Sequence, residues 1–249
     1  MILDHVNRMA AATLTASAQY TSLPVQNAQV APMGKVWRFS GTTAYVDADL
    51  GASVALRDLA AARANLTTAQ TWRIQLSASA AGSTDVLDTG TVAPDTRDGY
   101  DMAFYDLGQD YTARYLRWTF TDATVSYGDI GYLWAGSAWR PPRNFSYGLG
   151  VRWEDPSETE TSLDGDLMTG GRRRRRIAEF SLDNNTPAEM MANPFEIDRL
   201  AGTTQTVLLR LDPDNYPVQW SLMGTIERAT PLVLAGFARM GKRYSIRER

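Results

Sequence analysis

The strongest constraint on the fold of this chain is an alternation of apolar and polar residues in several short segments. In residues 43–51 (TAYVDADLG), Val46 and Ala48 alternate with polar neighbours. Residues 71–79 (TWRIQLSAS) and 113–122 (ARYLRWTFTD) show the same period of two. Successive side chains of a β-strand point to opposite faces, so this pattern is typical of half-buried antiparallel strands. Such strands at close spacing favour a β-sandwich or a jelly roll.

One stretch in the same region disagrees with this pattern. Residues 54–66 (VALRDLAAARANL) are rich in alanine, leucine and arginine, which have high helix propensity. Taken alone, this segment predicts a helix.

The second half of the chain has a different organisation. Residues 139–144 (WRPPRN) contain two prolines, which neither continue a helix nor donate to a strand ladder. The acidic residues 154–166 (EDPSETETSLDGD) predict a loop, and residues 174–182 (RRRIAEFSL) predict a strand. We therefore expect two domains: a mainly β first domain, residues 1–140, and a smaller α+β second domain, residues 141–249.

A single interrupted helix is predicted within that second domain. Thr186 is a suitable N-cap, Pro187 suits the first helical position, and Glu189 completes a capping box. Pro194 should break the helix, and Gly202 should end it.

Composition argues against the common catalytic and metal chemistries. The chain has no cysteine and one histidine, His5, so an ordinary protein-only zinc site cannot be assembled. No phosphate-binding, dinucleotide-binding or nucleophile-elbow motif is present. We interpret acidic pairs such as the one in residues 212–215 (DPDN) as carboxylates in turns. The alternative is that two such carboxylates catalyse glycoside hydrolysis. We expect no enzymatic activity, no cofactor and no metal. Without a long apolar run, we also expect no membrane insertion.

The five consecutive arginines Arg172, Arg173, Arg174, Arg175 and Arg176 suggest a nucleic-acid contact at first sight. However, 25 lysines and arginines face 28 acidic residues in the chain, for a net charge of −3. Proteins that depend on phosphate contacts are normally basic. We therefore expect no nucleic-acid binding, and we interpret the run as the solvated or interfacial end of a strand.

Residues 13–50 carry a set of features that resembles a known family. These features are Thr15–Ser17, Pro24, Asn27, Trp37–Arg38 and Asp49–Gly51. Together with the closing strands in ARYLRWTFTD and DIGYLWAGSAW, they resemble the galactose-binding-like jelly roll of the discoidin type.

The resemblance implies several structural and functional details. It places a strand and a loop, rather than a helix, in residues 54–66. Discoidin-type domains often hold calcium through an Asp-Gly turn before the tryptophan, whereas residues 31–35 read APMGK, so we expect no calcium. Sugar-binding members present exposed aromatic side chains on their loops. Tyr20, Trp37 and Trp139 are the candidate glycan contacts, with a position in the core as the alternative for each.

The remainder of the chain resembles tail-tip proteins of long-tailed, non-contractile bacteriophages. The most specific segments are residues 139–160 and 195–214. The resemblance implies a distal tail or minor tail-tip protein, assembled in the host bacterial cytoplasm and located in the virion. Its expected partners are further copies of itself in a ring of six, or alternatively three, together with the tail tube and tip hub proteins. The arginine run would then contact acidic surfaces of a neighbouring subunit. A virion-borne module that binds host glycans is the alternative function.

Overall fold

The computed structural model describes residues 1–31 and 34–249. Pro32 and Met33 of the APMGK segment lie outside the described residues, and with them the expectation about calcium. The described residues form mainly β-structure, which confirms the predicted fold class. Neither of the two α-helices in the described part is long and apolar enough to cross a membrane.

The strands and helices follow one another along the chain with short connections. The strands are β1 (Ile2–Asp4), β2 (Thr13–Ala16), β3 (Trp37–Ser40), β4 (Thr43–Ala62), β5 (Thr71–Ser77), β6 (Leu87–Asp88), β7 (Met102–Thr121), β8 (Tyr127–Ile130), β9 (Tyr132–Gly136), β10 (Gly150–Glu154), β11 (Glu158–Thr161), β12 (Leu167–Gly170), β13 (Arg175–Asn185), β14 (Val207–Arg210), β15 (Ser221–Ile226), β16 (Val233–Gly236) and β17 (Arg239–Glu248). The helices are α1 (Pro187–Ala192) and α2 (Pro194–Ala201), with 3-10 turns at Arg8–Ala11 and Val25–Gln29.

The chain divides into two compact units. The N-terminal unit comprises Val6–Trp139 and Asp212–Ser221. The C-terminal unit comprises Met1–His5, Arg140–Leu211 and Leu222–Arg249. The first five residues therefore belong to the C-terminal unit, and Asp212–Ser221 belongs to the N-terminal unit.

The N-terminal unit is a β-sandwich whose larger sheet is built around β4 and β7. These 20-residue strands pair antiparallel, and the sheet order is β2-β4-β7-β5-β6, with β9 also on β4. The register shifts between Asp49 and Val54, where Gly51 has a φ of 78°. A positive φ suits glycine, which lets the strand bend there. Residues 54–62 are strand rather than helix because they pair with both β7 and β9, and this pairing overrides their helix propensity.

Aromatic side chains from both sheets fill the core of the sandwich. Trp37 and Phe39 come from β3, which pairs with β8 in the second sheet. Trp72, Trp118 and Phe120 come from the larger sheet and pack mostly edge to face, with the Trp72 and Trp118 ring centroids 4.7 Å apart. In β7, the apolar positions of the alternation are buried and the polar positions are half-buried, which confirms the period-two prediction; in β5, the apolar positions are buried as predicted, but Gln75 and Ser77 on the other face are buried too.

The C-terminal unit is built on a seven-stranded sheet in the order β1-β14-β15-β17-β13-β10, with β16 on β17. Its core includes Phe180 and Tyr244, whose rings stack at 5.4 Å. Ile2 and Leu3 of β1 are buried and pair with β14, so the first residues of the chain join this unit rather than the first domain, where the sequence placed them.

The predicted helix start, break and end are all confirmed. Thr186 Oγ1 accepts from the Glu189 backbone N–H, and the Glu189 carboxylate accepts from the Thr186 N–H, which forms the capping box. The helix breaks before Pro194 and ends at Gly202. The acidic segment predicted as a loop is instead a hairpin, because β11 and β12 pair across a turn in which Gly165 has a φ of 85°.

Candidate functional site

Two loops of the N-terminal unit enclose a pocket of about 180 Å³. One loop connects β4 to β5, and the other precedes β7. The pocket is lined by Ala64, Leu66, Thr67, Thr68, Gln70, Thr96, Arg97, Asp98, Gly99, Tyr100, Asp101 and Met102. It combines hydroxyl, amide, carboxylate and guanidinium groups with the rings and methylenes of a few apolar side chains.

The first loop is held in place by hydrogen bonds from its own backbone. The Thr67 N–H and Oγ1 both donate to the buried Asp122 carboxylate, at 2.6 and 2.9 Å. The Ala64 N–H donates to the Asp101 carbonyl at 3.1 Å and ties the two loops together. Burial raises the pKa of Asp122, but hydrogen bonds from Thr124 and Thr67 outweigh it and leave the pKa below its ordinary value. The carboxylate therefore stays charged, and the loop is preorganised.

The polar groups of the pocket are oriented by neighbours outside it. Arg97 Nη1 and Nε lie 2.6 and 3.3 Å from the terminal amide of Gln219, whose oxygen accepts from both when the amide is oriented with that oxygen toward Arg97. Gln70 is buried, and its Oε1 accepts from the Trp72 indole N–H at 2.9 Å, which fixes the amide orientation. Asp98 is exposed and accepts a long hydrogen bond of 3.4 Å from Thr68 Oγ1. Donors and acceptors are thus both presented to a ligand.

The structure does not bring the three candidate glycan contacts into this pocket. Trp37 is fully buried, with its indole N–H donating to the Ala18 carbonyl at 3.1 Å. Trp139 is half-buried at the end of the N-terminal unit. Tyr20 is 47 % exposed, and its backbone N–H donates to the carbonyl of Arg38 in β3.

Arginine–aspartate pairs recur on the outer faces of this unit. Arg38 binds Asp129 through two N–H groups at 2.6 and 2.7 Å and lies 4.5 Å above the Tyr127 ring. Arg117 makes the same bidentate contact with Asp47, and it lies 4.2 Å above the ring of Tyr45. This repetition indicates cross-strand structural pairs. It also accounts for the preference for arginine over lysine, because only a guanidinium bonds a carboxylate with two parallel N–H groups.

The structure separates the five arginines into different environments. Arg172 pairs with Glu158 at 2.7 Å, and Arg174 pairs with Asp155 at 3.0 Å, both at the surface. Arg173 donates to the Arg249 carbonyl at 2.9 Å. Arg172, Arg174 and Arg175 are exposed and Arg173 is half-buried, whereas Arg176 is buried.

Arg176, the last of the five, is a core residue. Its side chain is 2 % exposed and pairs with Glu248, 3 % exposed, at 2.6 Å. The Arg176 backbone N–H also donates to the Glu248 carboxylate at 2.9 Å. Arg176 therefore stabilises its own unit and is inaccessible to a neighbouring subunit.

An apolar groove lies beside the exposed arginines. It has a volume of about 390 Å³ and is lined by Trp153, Asp155 and Arg174. Trp153 is 54 % exposed, and the buried Arg176 guanidinium lies 5.9 Å from its ring. Hydrogen bonds from Ser157, assisted by Arg174, lower the pKa of Asp155 to about 2, so this carboxylate is charged at neutral pH. We refer to these three residues as the Trp153 groove.

Sequence reasoning did not identify the pocket. Its second loop could have been noticed as the turn-rich segment 94–101 (PDTRDGYD), but its partner loop lies about 30 residues earlier in a stretch with helix propensity. No group of three or more histidine, aspartate or glutamate side chains within residues 1–31 and 34–249 is arranged to hold a metal ion.

No protein-family model and no curated protein sequence matches this chain. Similar solved structures include chitosan-binding module 1 of a chitosanase/glucanase from Paenibacillus sp. IK-5, with 20 % identity, a TM-score of 0.45, and coverage of 53 % of this chain and 100 % of that one. Another is a family 32 carbohydrate-binding module from Clostridium perfringens NanJ in complex with galactose, with 13 % identity, a TM-score of 0.43, and coverage of 54 % and 98 %. A Streptococcus pneumoniae fucose-binding module is similar over 53 % of this chain and 95 % of its own, with 12 % identity and a TM-score of 0.41.

Proposed function

We propose that the N-terminal unit is a carbohydrate-binding module that takes one sugar ring into the pocket between its two loops. The observation that supports this most is the combination of size and chemistry in that pocket. An enclosed cavity of ~150 Å³ accommodates a benzene-sized molecule. A pocket of about 180 Å³ therefore suits a single six-membered ring whose substituents continue into solvent.

The side chains of the pocket complement a sugar ring group by group. Sugar hydroxyls both donate and accept hydrogen bonds, and Asp98 offers an acceptor where Arg97 offers donors. The C–H face of a sugar is apolar, and Leu66, Tyr100 and Met102 are the large apolar side chains among the residues that line the pocket. The sequence resemblance to galactose-binding-like jelly rolls agrees with this assignment.

Replacing Asp98 with asparagine should weaken glycan binding by roughly 10- to 100-fold, because a hydrogen bond to a charged acceptor is lost at each bound hydroxyl. The measurement is a glycan array to find the ligand, followed by titration calorimetry with the best monosaccharide. Asp110→Asn is the matched control, since Asp110 lies on β7 outside the pocket and accepts from Ser137 Oγ. Equal affinities for the two variants would rule out this pocket as the binding site.

We propose a second role for the C-terminal unit, which is to build the chain into a bacteriophage tail tip. This proposal is supported by the sequence resemblance and by the number of large apolar side chains that this unit exposes. Tyr147, Leu163 and Phe237 are fully exposed, and Leu167 is 71 % exposed. Leu163 and Leu167 belong to the same β11–β12 hairpin, and neighbouring exposed apolar side chains mark surfaces that another protein covers.

Detection of the chain in purified virions tests the tail-tip role. We expect mass spectrometry to find the chain in intact particles, and we expect antibody labelling to place it at the end of the tail. Labelling of the capsid, or absence of the chain from particles that infect normally, would refute the role.

A further inference from the structure

We infer that the N-terminal unit binds an oligosaccharide rather than a single sugar, with one ring in the pocket and the neighbouring rings across the outer face of the two-stranded sheet of β3 and β8. This inference rests on the proposed carbohydrate-binding function and specifies its ligand class. We refer to Tyr20, Arg38, Tyr127 and Asp129 as the tyrosine face.

The first loop of the pocket is hydrogen-bonded along strand β8. Asn65 lies between the pocket residues Ala64 and Leu66, and its backbone N–H donates to the Asp129 carbonyl at 3.2 Å. The Asn65 side-chain amide donates to the Tyr127 carbonyl at 3.2 Å and accepts from the Asp129 N–H at 2.7 Å. Asn65 therefore occupies the place of a further strand residue beside β8, and the tyrosine face adjoins the pocket loop.

A second link ties the same loop to the turn that precedes β8. Thr67, which lines the pocket, and Thr124 have their hydroxyl oxygens 3.0 Å apart. Both hydroxyls donate to the buried Asp122 carboxylate, at 2.9 and 2.6 Å. These contacts hold the pocket loop in a fixed position relative to β8. A ligand that spans the two therefore has little structure to order when it binds.

The alternation of residues in β8 directs the tyrosine face outward. Gly128 is buried between Tyr127 and Asp129, and a Cβ atom on it would lie 2.0 Å from the ring of Phe39. Because successive residues of a strand point to opposite faces, Tyr127 and Asp129 point away from the core. Arg38, which precedes the buried Phe39 in β3, points the same way and meets Asp129.

The tyrosine face combines aromatic rings with a polar pair that carries no net charge. Tyr20 and Tyr127 are 47 % and 40 % exposed, and the Arg38 guanidinium lies 4.5 Å above the Tyr127 ring. The bidentate contact between Arg38 and Asp129 neutralises both groups, so a charged ligand would have to compete with this pair. An uncharged sugar does not. Its C–H face can pack on a tyrosine ring while its hydroxyls bind the phenol.

The pocket alone has room for one ring, so the tyrosine face can contribute only to a longer glycan. A pocket of about 180 Å³ leaves the substituents of its sugar in solvent. When the glycan continues toward β8, binding of the next ring is intramolecular, and the affinity rises without any new contact in the pocket. Affinity should therefore increase with the length of the glycan.

The dependence of affinity on glycan length tests this inference. The probes are three neutral series: glucose with cellotriose, galactose with β-1,4-galactotriose, and N-acetylglucosamine with its β-1,4-linked trisaccharide. In titration calorimetry, we expect the trisaccharide of at least one series to bind the wild-type chain about 10-fold more tightly than its monosaccharide, the equivalent of one aromatic contact. Tyr127→Ala should abolish this 10-fold advantage and leave the monosaccharide affinity unchanged, because Tyr127 does not line the pocket.

Tyr45→Ala is the matched control. Tyr45 lies on β4 in the other sheet, and the Arg117 guanidinium lies 4.2 Å above its ring, as Arg38 does above Tyr127. This variant loses the same kind of contact and should keep both affinities. Asp98→Asn alters the pocket itself and should weaken the binding of monosaccharide and trisaccharide alike.

The outcomes separate this inference from the carbohydrate-binding function. A trisaccharide advantage that survives in Tyr127→Ala, or that is lost equally in Tyr45→Ala, would overturn the inference, while monosaccharide binding would still support the pocket. A wild-type chain that binds the trisaccharides no more tightly than the monosaccharides also contradicts it. If the chain binds none of the six sugars and no glycan on the array, the proposed function fails together with the inference.

Discussion

Replacing Arg176 with glutamine should lower the free energy of unfolding of the C-terminal unit by about 3–5 kcal/mol. The Arg176 guanidinium and the Glu248 carboxylate are both almost fully buried and 2.6 Å apart. Removal of the Arg176 charge leaves the buried Glu248 carboxylate with only the Arg173 guanidinium, 3.9 Å away, where water cannot solvate it, and this cost exceeds the loss of the bond itself. Urea denaturation followed by tryptophan fluorescence, with the transition of each unit fitted separately, measures the change.

The neighbouring arginine is the control for this prediction. Arg174→Gln removes an ion pair with Asp155 that rests on one hydrogen bond of 3.0 Å, and both side chains are largely exposed. Exposed pairs contribute about 0–1 kcal/mol, so the stability should change little. A double variant, Arg176→Met with Glu248→Leu, removes both charges and should recover much of the stability lost in the single variant. If Arg176→Gln and Arg174→Gln prove equally mild, Arg176 is not part of the core in solution.

Replacing Trp118 with alanine should destabilise the N-terminal unit by about 3–5 kcal/mol, which is the usual cost of deleting a buried aromatic ring. The side chain is completely buried, and its ring lies 4.7 Å from Trp72 and 4.9 Å from Phe120. The cavity would therefore open at the centre of the aromatic core. Chemical denaturation monitored by circular dichroism reports the loss.

A pair of milder variants distinguishes packing from hydrogen bonding at this core. The Trp118 indole N–H has no hydrogen-bond partner among the described residues, so Trp118→Phe loses only volume. Trp72→Phe also removes the donor to Gln70 Oε1 and leaves a buried amide oxygen unsatisfied. We expect Trp72→Phe to be the more destabilising variant by about 1–3 kcal/mol. The opposite order would show that the Gln70 contact does not form in solution.

The elements that depend on local chemistry were predictable from the sequence. The alternation in β5 and β7 identified the buried faces of these strands, and the capping box at Thr186 identified the helix start. Both signals reside in residues that are adjacent or a few positions apart. Neither of these two predictions depends on contacts with distant parts of the chain.

The features that depend on distant residues were not predictable. Arg176 is buried because Glu248, 72 positions later, neutralises it, and no pattern around residue 176 indicates that partner. The pocket forms because Ala64 bonds to Asp101 across two loops that are separate in the sequence. In residues 54–62, pairing with β7 and β9 overrides a local preference for helix. In each case, a long-range contact decides the structure.

The order of strands in the sheet of the C-terminal unit has a consequence for synthesis on the ribosome. Strand β17 lies between β13 and β15, although both precede it in the chain. Until β17 has emerged, β13 and β15 expose unpaired backbone groups along the edges that it will later occupy, and β1 waits for β14 in the same way. Unpaired strand edges associate readily with other chains. We therefore expect chaperones to protect the nascent C-terminal unit until β17 has been synthesised. The larger part of the sandwich, in contrast, is complete much earlier in translation.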